Sequence, residues 1–318
     1  MADIIPFIGL RYNKSKIANL ASVMTPPYDI IDDKSQARYY AEHPVNIIRL
    51  ELGLVFPDDN EKNNRYTRAK KYLERWIEDE TLLPEAKPAM YVYQQEFRVA
   101  GGTLTRNGFI CGLKLQDYSE GSVLPHEETL SKPKADRLKL MQATQCNFSS
   151  IFGLYSDPEK RVDNALLQAI EGREPDLDII DEAGESHRIW VVTDENTLQA
   201  VAAYLKDEQI FIADGHHRYE TALEYSKQMR ELGHQGYDYV MTTLVNLYDE
   251  GLVILPTHRV VRNISHLDIE VFKSALSEVF TVQEFDSSGD LSGFMEELAQ
   301  RGKKKHVFGL YTPEKSLY

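Results

Sequence analysis

The run Phe211-Ile212-Ala213-Asp214-Gly215-His216-His217-Arg218-Tyr219-Glu220 gathers a carboxylate, two imidazoles and a guanidinium around one glycine. Those residue types suit a phosphate. A glycine between a strand and a helix lets the backbone turn sharply and approach a ligand closely. The helix that follows offers unpaired N–H groups and the positive end of its dipole. Arg218 adds a fixed fork of donors. Asp214, at the strand end, can hold Mg²⁺ or take a proton, and His216 and His217 can donate to phosphate oxygens or bind a metal. The plain alternative is that Asp214 caps the helix and the histidines pack locally.

Three other clusters carry usable chemistry. The segment His126-Glu127-Glu128-Thr129, followed by Lys132, Lys134 and Asp136-Arg137, joins an acid/base pair to several cations. It is not a zinc-protease motif, because Leu130 stands where H-E-x-x-H needs its second histidine. A solvated polar loop is the competing reading. The rigid pair Pro26-Pro27 sets Tyr28-Asp29 at a turn, where Asp29 can edge a site. Pro256-Thr257-His258-Arg259 follows the main motif by one hairpin and adds two more phosphate-type donors.

These groups need elements to hold them. Gln209 to Ala213 reads as a short strand, and Tyr219, Ala222, Leu223, Ser226 and Met229 as a helix ending near Gly233. The main motif therefore lies on a strand–turn–helix corner. Strands are expected from position 4, at Tyr91–Val99 and Phe109–Leu115 as a loose hairpin, at Ile151–Tyr155 and at Arg188–Thr193. A second hairpin is expected from Tyr239–Leu247 and Leu252–Val261. Helices are expected from Tyr66 to before Pro84, and at Asp163–Ile170, Thr197–Leu205, Ile269–Phe280 and Leu291–Leu298. Ser119 to Asn147 shows little periodicity and reads as a long irregular loop.

The fold class expected is mixed α/β: mixed sheets with flanking helices. An N-terminal lobe is expected over 1–150 and a second, carrying the corner, over 151–318. Phe152-Gly153-Leu154-Tyr155 and Phe308-Gly309-Leu310-Tyr311 echo one another as strand-into-turn units. No returning strand is recognised after the second unit, so a C-terminal segment is expected to be missing.

Composition bounds the function. Fifty acidic against 36 basic residues give 318 residues a net charge of −14. Binding to nucleic acid or an anionic membrane rests on Lys and Arg, so neither is expected as the main role. The cations that matter are grouped, which predicts one small anion pocket. The opening Met1-Ala2-Asp3-Ile4-Ile5-Pro6-Phe7 lacks a basic segment before an apolar one, and only Cys111 and Cys146 are present, outside any C-x-x-C pair. A cytoplasmic protein with two free thiols is expected.

Taken in order, Ile5-Pro6-Phe7, Pro26-Pro27-Tyr28-Asp29, His126-Glu127-Glu128-Thr129, Asp136-Arg137, Asp214-Gly215-His216-His217-Arg218-Tyr219 and Pro256-Thr257-His258-Arg259 resemble a prokaryotic family known as domain of unknown function 1015. The resemblance runs the length of the chain and implies no activity by itself. More distantly, the 214–218 corner resembles the second box of the ParB/sulfiredoxin superfamily. In that superfamily a comparable turn holds nucleotide phosphates, and some members are free-serine kinases.

That resemblance implies a nucleotide-dependent phosphotransferase for serine or a similar hydroxyl compound. ATP or ADP would sit on Gly215, His216, His217 and Arg218, helped by His258, Arg259 and Arg137, with Mg²⁺ near Asp214. Glu127, with His126, or Asp29 would orient or deprotonate the acceptor, and Glu51 is a further candidate. Two other classes stay open. One is a ParB-like regulatory module that binds nucleotide without catalysis. The other is a metal-dependent hydrolase, in which His216 and Glu220, four apart, face one Zn²⁺ or Fe²⁺ with Asp214 or His126.

Overall fold

The computed structural model describes residues 2–99, 102–129, 131–254, 258–262, 264, 266–285, 291–311 and 316–317. The chain divides into two compact units, Met1–Ile254 and Leu255–Tyr318. The expected boundary at 150 is not where the division falls, because one sheet draws strands from both sides of that position.

The first unit runs β1 (Ile4–Ile5), β2 (Leu10–Tyr12), α1 (Asp33–Glu42), α2 (Ile48–Glu51), α3 (Arg65–Glu78), β3 (Leu82–Pro84), β4 (Met90–Val99), β5 (Gly102–Lys114) and β6 (Val123–Leu124). It continues through α4 (Ser131–Thr144), β7 (Ile151–Tyr155), α5 (Arg161–Ile170), β8 (Leu177–Ile180), β9 (Ser186–Val192), α6 (Glu195–Leu205), β10 (Ile210–Asp214), α7 (His216–Glu231) and β11 (Tyr239–Asn246). Nine of these strands form one mixed sheet in the order β6-β10-β7-β11-β5-β4-β9-β8, with β1 paired to β5. β10 runs parallel to β6, and β11 parallel to β7; the other pairings are antiparallel. The fold is thus α/β with a mixed sheet.

Strand side chains alternate between two faces, and here the faces have different fates. Phe109, Cys111 and Leu113 of β5, Val240 and Leu244 of β11, and Ile151 and Tyr155 of β7 point into the main core. Helices α5, α6 and α7 close that core with Val162, Leu166, Leu198, Val201, Leu205, Tyr219 and Ala222. Arg106, Gly108 and Ile110, Met241, Thr243 and Val245, and Phe152 take the other parity and floor a cleft. A second, smaller core of Leu50, Leu73, Trp76 and Leu82 ties α2, α3 and β3 together, and α4 packs between α3 and α7.

Two expectations fail for physical reasons. The loop expected over 119–147 contains the 14-residue helix α4. Its inward stripe is Arg137, Leu140 and Thr144, all buried. The stripe has helical spacing, but an arginine and a threonine occupy two of its three places, so apolar periodicity is blank there. Pro133 falls in the first turn, where a missing N–H is tolerated. The hairpin partner expected over 252–261 forms no strand among its described residues. β11 is already flanked by β7 and β5 and has no free edge.

The second unit holds α8 (Ile269–Ser277), β12 (Glu284–Phe285), α9 (Leu291–Gly302), β13 (Leu310–Tyr311) and β14 (Ser316–Leu317). β14 pairs antiparallel with both β13 and β12, so a strand does return after the second Phe-Gly-Leu-Tyr unit. Among the described residues, no helix is long and apolar enough to cross a membrane.

Candidate functional site

The corner forms as its sequence demands. β10 ends at Asp214, Gly215 turns the chain with φ +93°, and α7 starts at His216. Gly215 is the N-cap residue and no side chain caps the helix, so Asp214 is not spent on capping. Instead its carboxylate, 60% exposed, accepts a hydrogen bond from Arg218 Nη2 at 2.5 Å. The guanidinium also donates through Nη1 to the Ser150 carbonyl of the segment entering β7. A Cβ on residue 215 would stand 3.0–3.1 Å from three atoms of the Arg218 side chain. The glycine is therefore required twice, for its left-handed backbone and for the guanidinium lying over it.

Positions two apart on a helix point about 200° from one another, so α7 splits its charged residues between two flanks. Arg218 faces β7. His216 faces β6, where its side chain is fully buried. The His126 N–H donates to His216 Nε2 at 3.3 Å, and His126 Nδ1 donates in turn to the Ile212 carbonyl at 2.8 Å. The two rings meet edge to face at 4.6 Å. Glu127 Oε1 lies 2.9 Å from His216 Nδ1, but off the line of a formed hydrogen bond. Burial holds the His216 imidazole below its ordinary pKa, against the pull of Glu127. With Nε2 accepting, His216 is a neutral, structural imidazole.

Glu220, one turn on, shares that flank. It accepts from Thr129 Oγ1 at 2.5 Å and from Lys134 Nζ at 2.9 Å. Partial burial pushes its carboxyl up, but those two donors and the charges of Lys134 and His217 outweigh burial and hold it low. His216 and Glu220 belong, among the described residues, to no group of three ligand-type side chains around a common point. Among the described residues, the one group of three ligand-type side chains within reach of a common point is Asp181, Glu185 and His187, on the β8–β9 hairpin.

The other flank opens on the cleft. It is about 440 Å³ in volume, within the roughly 300–1,000 Å³ range of small-molecule sites. Asp214, Arg218, Pro26, Pro27 and Arg106 line it. Glu51 also lines it, together with Ser149 and Ser150. Glu51 is almost wholly buried at the end of α2 and accepts a hydrogen bond from the Ser149 hydroxyl. Burial raises its carboxyl pKa, although Ser149, Arg137 and Arg218 oppose the rise.

The Pro-Pro-Tyr-Asp motif reaches the same place. Pro27 is extended, and Tyr28–Ile30 then make one short 3₁₀ turn. The Tyr28 ring lies under Arg137 at 4.0 Å, and Asp29 is exposed beside it. Arg137 is engaged by protein groups. Its donors go to the Glu51 carbonyl at 3.0 Å and to Asp136 at 2.6 and 2.9 Å. Asp136 also accepts from the Tyr66 hydroxyl at 2.7 Å and from Arg65. Arg137 is thus a strut between α4, α2 and the Tyr28 turn.

Of the residues singled out in the sequence, Asp214, Arg218, Glu51 and the Pro26-Pro27 pair line the cleft. His126, Glu127 and His216 form a separate cluster on the β6 flank. Lys134 belongs to Glu220. His258 and Arg259 are exposed and irregular and belong to the second unit, while Pro256 and Thr257 lie outside the described residues. Cys111 is buried in the main core and Cys146 half-buried, both free. Sequence reasoning missed Arg106, Ser149 and Ser150. Strand parity would have flagged Arg106, since Gly108 and Ile110 share its face.

No curated protein and no solved structure matches this chain. A family model described as "Protein of unknown function (DUF1015)" matches residues 4–318. That span takes in both units and every motif on which the resemblance was drawn, and the chain belongs to that family.

Proposed function

We propose that this chain is a nucleotide-dependent phosphotransferase for a small hydroxyl compound of serine-like size. One observation carries the reading. Asp214 and Arg218, which flank a glycine turn at a helix N-terminus, border one small-molecule-sized cleft together with the buried carboxylate of Glu51.

The roles follow from chemistry. Arg218 and the first-turn N–H groups of α7 take the transferring phosphate of ATP or ADP. Asp214 is the exposed carboxylate at the strand end and suits Mg²⁺, which binds through few protein oxygens plus phosphates and water. Glu51 replaces Glu127 as the preferred base, because it shares the cleft with Arg218 whereas Glu127 contacts His216. A carboxyl whose pKa is raised by burial is tuned toward neutral-pH proton transfer. It takes the acceptor hydroxyl proton as the new O–P bond forms and the bond to the leaving nucleotide breaks. Such transfer needs mostly positioning and charge neutralisation, which a few fixed donors supply. The hydrolase alternative is less favoured, since Glu220 is engaged by a lysine and, among the described residues, the corner gathers no three-ligand set.

The test is direct. Pure protein is incubated with ATP or ADP, Mg²⁺ and a panel of hydroxy acids and amino acids including L-serine. A phosphomonoester in the phosphorus NMR spectrum is expected, and no product from any acceptor with either nucleotide overturns the reading.

A further inference from the structure

We propose that Arg106 is a carboxylate anchor, so that the cleft selects hydroxy or amino acids over uncharged alcohols and sugars; this names the acceptor class for the phosphotransferase reading and rests on it. Three observations on unit 1 carry the inference.

The first is position. Asp214, Phe152, Thr243 and Arg106 lie on successive strands β10, β7, β11 and β5 and all line the cleft. Three strand spacings, about 14 Å, separate the first backbone from the last. The Arg106 guanidinium carbon lies 5.4 Å from the centre of the Phe152 ring on β7. Arg218, by contrast, sits against Asp214 and Ser150. The cleft is thus lined by two cations, Arg218 at the strand–turn–helix corner and Arg106 on the sheet floor.

The second is charge. Arg218 is paired with Asp214, and the nearby Arg137 with Asp136. Among the described residues, Arg106 has no carboxylate within ion-pair distance; its contacts are the Gln95 amide oxygen and the rings of Phe97 and Phe152. A half-buried guanidinium held by rings and a neutral amide is an unmatched positive charge in a low-dielectric setting, where an incoming anion is bound strongly.

The third is shape. The two rings, at 5.2 and 5.4 Å, restrict the guanidinium plane. A planar fork fixed in this way matches a carboxylate in two parallel hydrogen bonds. The apolar floor between the two cations, with Met241 and Val245, accommodates a short carbon skeleton and offers little to a polyol.

The experiment uses matched ligands that differ only at the carboxylate: D-glycerate against glycerol, and L-serine against serinol. Calorimetry on the full chain, without nucleotide, is expected to show wild-type binding of at least one acid. Arg106→Gln should weaken that acid at least tenfold, Arg106→Lys should weaken it less, and ADP affinity should change less than twofold in both. An unchanged melting temperature for Arg106→Lys guards against misfolding. Equal binding of an acid by wild type and Arg106→Gln, no binding of either acid by wild type, or loss of ADP binding alongside the acid overturns the proposal. Phosphoryl transfer is scored separately on the same samples. Acid binding that depends on Arg106 without turnover therefore counts against the phosphotransferase reading and not against the anchor.

Discussion

Arg218 folds back across the Gly215 turn and closes on Asp214 at 2.5 Å, so the two charged groups of the corner neutralise one another. A phosphate must take the guanidinium from the carboxylate, and a cation must take the carboxylate from the guanidinium. Each ligand ion frees the partner that the other needs. Nucleotide affinity is therefore expected to rise with Mg²⁺ by more than charge screening explains. In Asp214→Asn, ADP without Mg²⁺ should bind more tightly than in wild type, and the Mg²⁺ enhancement should disappear. Calorimetric titrations with and without Mg²⁺ check both.

Gly215→Ala tests the turn. A left-handed backbone is unfavourable for a residue with Cβ by about 1–2 kcal/mol, and the added carbon meets the Arg218 side chain. The variant should melt lower and bind ADP at least tenfold more weakly. Full affinity in Gly215→Ala would mean the guanidinium does not need to lie over the turn.

Glu51→Gln separates stability from activity. Because the folded carboxyl titrates above its ordinary value of 4.5, the folded chain holds the proton more tightly than the unfolded chain. Its contribution is present below that value and is lost as pH rises through the raised folded value. Glutamine removes that loss, so the variant should gain stability relative to wild type between pH 5 and pH 8. Turnover should fall by about 10²–10⁴, the range for a lost general base. Chemical denaturation at the two pH values and a turnover assay read the two effects independently.

His216 has the opposite sign. Burial lowers its folded value below 6.5, so the unfolded chain takes up a proton first as pH falls. Stability from the neutral ring is complete above that value and is lost as pH falls through it. Denaturation midpoints should decline from about pH 6.5 downward, and His216→Gln should show a shallower decline over the same range. The neighbours Glu127, His126, Asp214 and Glu220 are unchanged in that comparison. An identical pH profile in the variant would place the titration elsewhere.

Much of the framework was legible because it is local. The strand–turn–helix at 210–231, the helices α5 and α6 and the β4–β5 hairpin each follow from periodicity and one turn signal. Helix α4 was not legible, since Arg137 and Thr144 hold two of its three inward places. The split of the corner into two flanks was hidden for another reason. His126 and Glu127 looked like partners of Asp214 by residue type, but β6 pairs with β10 on the side opposite β7. Arg106 shows its face through strand parity, but nothing near it in sequence reports that the pairing of β5 with β11 and of β11 with β7 brings it to one cleft with Arg218.

The place of β11 sets an order on how the protein can be made. It lies in the middle of the sheet, between β7 and β5, yet it is the last strand of its unit to leave the ribosome. Until residue 246 has emerged, β7 and β5 each present an unpaired edge, and the floor of the cleft has a gap where Met241, Thr243 and Val245 belong. Exposed edges of that kind invite pairing with other chains. The last strand of the unit to be made is therefore the one that completes both the main core and the cleft floor.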